Sequence, residues 1–96
     1  MTIYIRGFAI THDVVLAALR EFDAQYPDPN DYDHWLQKKN YKYAIKYEGR
    51  VYPPKYILEL ITGLPARGFN GGEETNRVFK QLGFEVIDKP RRPRRR

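Results

Sequence analysis

The chain has 96 residues and no cysteine, enough for one domain with one modest core, and this excludes a disulfide scaffold or a cysteine zinc site. Its net charge of +5 is unevenly spread: six of the seventeen basic residues lie in "KPRRPRRR" (89–96), and the eleven in residues 1–88 face twelve acids. No apolar run approaches the roughly 20 residues of a membrane span, and "MTIYIRGFAITHD" lacks the regions of a signal peptide, so a cytoplasmic chain with no membrane partner is expected.

In chain order, "TIYIRGF" reads as a short strand bounded by Gly7. Thr11 is the expected N-cap of a helix near 12–24, with Asp13 in its first turn. Val15, Ala18, Leu19 and Phe22 recur at helical spacing and should face the core. "YPDPNDYD" (26–33) is a loop, because prolines and aspartates break the pattern. "HWLQKK" (34–39) reads as a short helix with Asp33 as cap and Trp35 and Leu36 inward. "YKYAIKY" (41–47) alternates as a strand, Tyr41, Tyr43, Ile45 and Tyr47 on one face, Lys42, Ala44 and Lys46 on the other. "EGR" turns the chain, so 41–52 is a predicted β-hairpin. "PPKYILELITGL" is a predicted helix with proline at its start and Gly63 as C-cap. After the loop "GLPARGFNGG", Asn70 is placed to cap a third helix, with Glu73 in the capping box. Val78, Phe79 and Leu82 form its core stripe, Gly83 ends it, and "FEVID" is a last strand. The expected fold is a single α+β domain over residues 1–88, three main helices with a β-hairpin and short terminal strands, compatible with a winged-helix-like arrangement. Residues 89–96 read as a disordered arginine-rich tail.

A catalytic set is not expected. The chain has no serine and no thiol, so neither triad chemistry is available. "FNGGEETN" lacks the lysine and spacing of a phosphate loop, and its two glutamates would repel a phosphate. Asp28 with Glu48-Gly49-Arg50 only faintly resembles a metal-nuclease pattern and reads as solvated turn residues. His12 and His34 stand too far apart for a metal pair, and no cofactor is expected.

The charges segregate. From Glu21 to Asp33 there are five acids and no base; from Lys38 to Lys55 there are six bases and one acid. In the second stretch Lys38, Lys39, Lys42, Lys46, Arg50 and Lys55 interleave with Trp35, Tyr41, Tyr43, Tyr47, Tyr52 and Tyr56. Basic side chains collect phosphates and aromatic faces suit bases or sugars, so an anionic partner is expected, nucleic acid before membrane. The bland reading puts the tyrosines in the core and the lysines on a solvated face. It is weakest for Tyr52, Pro53 and Lys55, at a hairpin-to-helix corner where side chains are expected to project outward. Lys55 also opposes the helix dipole, which an external anion would explain.

"GRVYPPKY", followed by "GFNGGEETNRVFKQLGFEV", resembles the sulfur-binding domain family of McrA-type modification-dependent restriction enzymes; "THDVVLAALREFD" resembles its first helix. The likeness spans residues 11–87. It implies a non-catalytic module that binds double-stranded DNA carrying a phosphorothioate, with any nuclease or motor in a partner domain or chain. It implies a sulfur cavity lined by Tyr52 and Pro53, with Lys55 against the DNA backbone and Tyr56 where the family carries a small residue. His12 is the nearest match to a basic residue near the start of the family's first helix, and Arg67 is a further candidate DNA contact. The alternatives are a reader of methylated or unmodified duplex, and a protein-interaction domain with a basic tail.

Overall fold

The computed structural model describes residues 1–27, 42–69 and 73–88. The expected helix at 34–39, the capping residue Asn70 and the tail 89–96 lie outside the described residues, as do Lys38 and Lys39. Strands β1 (Thr2–Ile5) and β2 (Phe8–Thr11) form an antiparallel hairpin that leads into helix α1 (His12–Gln25). A second hairpin, β3 (Tyr43–Tyr47) and β4 (Arg50–Tyr52), leads into helix α2 (Pro54–Thr62). A 3-10 turn at Ala66–Gly68 precedes helix α3 (Glu73–Gln81), and β5 (Glu85–Asp88) closes the chain of elements. β5 pairs antiparallel with β3, giving a three-stranded sheet in the order β4-β3-β5. This is the expected α+β domain of three helices, with two small sheets.

The local chemistry follows the sequence closely. Thr11 is the N-cap of α1, its hydroxyl accepting from Val14 N at 3.2 Å, and Asp13 occupies the first turn. Val15, Ala18, Leu19 and Phe22 are the buried face of α1; Val78, Phe79 and Leu82 bury the third helical stretch. Pro54 opens α2, and Gly63 closes it at φ 77°, its N–H donating to Glu59 O at 2.8 Å.

Three expectations need correction. "FAIT" is a strand, so the N-terminus is a hairpin rather than one strand before a helix. Ala44, expected on the outer face with Lys42 and Lys46, is buried as fully as Ile45, while both lysines are exposed. At this point the central strand is covered on both faces. Tyr52 and Lys55 do not project outward: they are only 2% and 9% exposed, and Pro53 is buried beside them.

Both hairpins reverse in two residues of the same kind. Arg6-Gly7 has φ of 53° and 84°, and Glu48-Gly49 has 49° and 81°. Positive φ at both central positions marks the type I′ turn, whose twist matches the flanking strands. A Cβ added at Gly49 would meet nothing within 4 Å, so the cost of a side chain there is backbone strain alone. Gly49→Ala is expected to lower stability by about 1 kcal/mol in urea unfolding. An unchanged midpoint would mean that the turn does not hold this conformation.

Candidate functional site

A groove runs between α1 and the second hairpin. Leu16, Leu19, Arg20 and Asp23 form one wall, Tyr47, Glu48 and Tyr52 the other, around a volume of about 130 Å³. His12, Leu16, Arg20 and Asp23 follow one another at helical spacing, so one face of α1 carries the whole seam. From His12 to Asp23 it is roughly 16 Å long at the ordinary helical rise. At the α1 N-terminus, His12 stacks on Phe84 with centroids 4.6 Å apart, and Tyr47 lies 5.8 Å from the same ring.

At the other end Asp23 organises the corner. The Tyr52 hydroxyl donates to Asp23 at 3.0 and 3.1 Å to its two oxygens. Arg50 Nη1 approaches Asp23 Oδ1 at 2.7 Å, and Nη2 donates to the Tyr26 carbonyl at 3.1 Å. The Phe22 ring meets Tyr26, Tyr52 and Tyr56 at 5.0, 5.5 and 5.7 Å. Tyr52 and Arg50, both expected as DNA contacts, are therefore held by their own domain. The groove is lined chiefly by polar groups, with Arg20, Asp23 and Glu48 at its walls, and Asp23 is paired with Arg50.

The candidates do not form one patch. Arg50, Tyr52, Pro53, Lys55 and Tyr56 gather at the corner; His12 stands at the opposite end of the seam. Lys42 and Lys46 are exposed at β3, where Lys46 is the register partner of Glu85. Arg67 is exposed in the 3-10 turn before α3. Among the described residues no three His, Asp or Glu side chains converge to hold a metal ion, and no helix is long and apolar enough to cross a membrane.

Tyr56 donates to Gln25 Oε1 at 2.9 Å. Burial, together with the neighbouring Tyr26 and then Glu59, pushes its phenol up from 10.0 to about 12. A pKa raised in the folded state favours the protonated form there, so the associated stability is intact below pH 10 and is lost as pH rises toward 12. Thermal melts of Tyr56→Phe between these pH values should fall less steeply than those of the wild type. Parallel curves would show that Tyr56 does not carry this loss.

Sequence reasoning missed Asp23, Arg6 and Glu74. Asp23 sits in the acidic stretch, which gave no hint of a tyrosine partner 29 residues on. Arg6 was visible as the first half of an X-Gly pair between two apolar alternations, the same signal that revealed the second hairpin. By fold and site the chain is a small α+β domain with an aromatic seam closed at one end by an Asp-Arg-Tyr cluster. No family model matches it, and neither a curated protein nor a solved structure does.

Proposed function

We propose that the domain is a non-catalytic reader of duplex DNA, with a phosphorothioate as the mark suited to its Tyr-Pro corner. The observation that carries this reading is the chemistry at the head of α2. Tyr52 is pinned by Asp23, and two successive prolines follow with no backbone N–H to offer. The Pro53 carbonyl is already used, accepting from Ile57 N at 3.0 Å. A phosphate oxygen set against the two proline rings would lose its water without gaining a donor from them, at a cost of about 1–3 kcal/mol. Sulfur is a weaker acceptor and more polarizable, so it loses less. Lys42, just before β3, and Lys46, on it, are exposed and would supply attraction to the charge that both kinds of backbone share.

The corner is nearly closed in the free domain, so this reading requires its half-buried rim, Arg50 and Tyr56, to part when DNA arrives. A duplex reader without sulfur preference is the second reading, favoured by the exposure of Lys42 and Lys46 against the burial of Lys55. The two are separated by competition binding of matched duplexes with and without a phosphorothioate, at fixed salt. Pro53→Ala is expected to weaken the modified duplex several-fold more than the plain one, while Lys55→Ala weakens both alike. Equal loss on both duplexes for Pro53→Ala, or no wild-type preference, would sink the sulfur reading and leave a general DNA reader. Failure to bind either duplex would remove the DNA reading altogether.

A further inference from the structure

Among the described residues the exposed large apolar side chains are Met1, Tyr4 and Phe8, with Tyr4 68% and Phe8 37% exposed. All three lie on or beside the N-terminal hairpin, and Tyr4 and Phe8 flank its turn. The turn itself carries Arg6 at φ 53°, where asparagine or glycine would sit without strain. A non-glycine residue there costs on the order of 1 kcal/mol, and such strain persists only where the surroundings impose it.

The surroundings of Arg6 are specific. Its Nε and Nη2 donate to the two oxygens of Glu74 at 3.3 and 3.1 Å. Nη2 also donates to the Gly68 carbonyl at 2.6 Å, and the guanidinium lies over the Phe69 ring at 5.0 Å. One edge and one face are thus fixed, while Nη1 makes no hydrogen bond among the described residues and the side chain is 39% exposed. A guanidinium locked in this way presents its remaining N–H groups in a set direction. With Nε and both Nη2 hydrogens already donated, Nη1 alone can meet a phosphate, with little further loss of side-chain freedom. The Glu74 charge is offset by Arg6, and Arg67, exposed, precedes the residue whose carbonyl Arg6 holds.

We infer that the tip of the N-terminal hairpin is a contact element for nucleic-acid backbone: Arg6 offers Nη1 to a phosphate, and the exposed Tyr4 ring meets the adjoining sugar. This rests on the DNA reading, and it adds a site remote in sequence from the Tyr-Pro corner. In the hairpin register Tyr4 faces with Ala9 and Phe8 with the buried Ile5, so the two rings lie on opposite faces and Tyr4, on the exposed one, is the ring the tip offers beside Arg6.

The test measures binding of the full chain to an unmodified duplex by fluorescence anisotropy over a series of salt concentrations, well below the melting temperature of each variant. Arg6→Ala should weaken binding about tenfold and reduce the salt slope by about one. Arg6→Lys keeps the charge but loses the fork, and should recover only part of the affinity. Glu74→Ala gives the sharpest contrast. Removing an acid should tighten DNA binding if only net charge matters, whereas releasing Arg6 should weaken it several-fold. Should Arg6→Ala fail to fold, Tyr4→Ala carries the test, since its side chain lies outside the core, and it should weaken binding several-fold without lowering Tm. Tighter binding by Glu74→Ala, or unchanged affinity and salt slope for Arg6→Ala with wild-type binding intact, overturns this inference and leaves the DNA reading standing. Loss of polyglutamate binding in Arg6→Ala with DNA affinity intact overturns it too, and assigns the tip to an acidic protein. No wild-type binding to DNA overturns the DNA reading, and this site with it.

Discussion

Phe22→Ala is expected to be the most damaging single truncation in the domain, at a cost of about 3–5 kcal/mol. The side chain is only 1% exposed and is among the largest fully buried ones. It is also the hub on which Tyr26, Tyr52 and Tyr56 converge. Alanine would leave a void bordered by three rings, one of which, Tyr52, is fixed at its hydroxyl and cannot swing in to fill it. A small domain typically has 5–15 kcal/mol in total, so this one change removes a large share of it. Urea unfolding read by tyrosine and tryptophan fluorescence measures the loss. A cost below about 1 kcal/mol would mean that the aromatic cluster is not packed as described.

Asp23→Ala is expected to cost about 1–3 kcal/mol, chiefly through Tyr52. The Arg50–Asp23 pair is partly exposed and contributes little by itself. The Tyr52 hydroxyl is deeply buried and loses its carboxylate acceptor in the variant. The prediction is therefore one of coupling. Tyr52→Phe removes the donor, and once it is present Asp23→Ala should cost much less than in the wild type. A double-mutant cycle by thermal or urea unfolding gives the number. Strict additivity would show that the two groups do not share their energy.

The elements legible in the sequence were those whose signals are local. The cap at Thr11, the stop at Gly63 and the stripe Val15-Ala18-Leu19-Phe22 depend on residues within one or two turns, and they lie where periodicity puts them. The first hairpin was less legible because β2 merges into the Thr11 cap, and its four residues read as the approach to a helix. The corner was misjudged for a different reason. Position in a chain reversal suggests exposure, but the fate of Tyr52 depends on Asp23 and Phe22, which come from a helix about 30 residues earlier. Nothing in "VYPPKY" encodes that partnership. The same holds for Arg6 and Glu74, 68 residues apart, whose pairing exists only once α3 is docked.

The order of strands β4-β3-β5 bears on how the chain acquires its structure during synthesis. β3 is the central strand, yet its second neighbour is the last element made, and Tyr43 finds its register partner only at Asp88. The first hairpin pairs with itself and runs straight into α1, so both can form early and dock later on α2 and α3. The three-stranded sheet must wait for loops of about 40 residues to close, a slow step by the logic of contact order. Until then β3 has one open edge, bearing the fully buried pair Ala44 and Ile45. That exposed edge is the segment of a nascent chain most inclined to pair with the wrong strand.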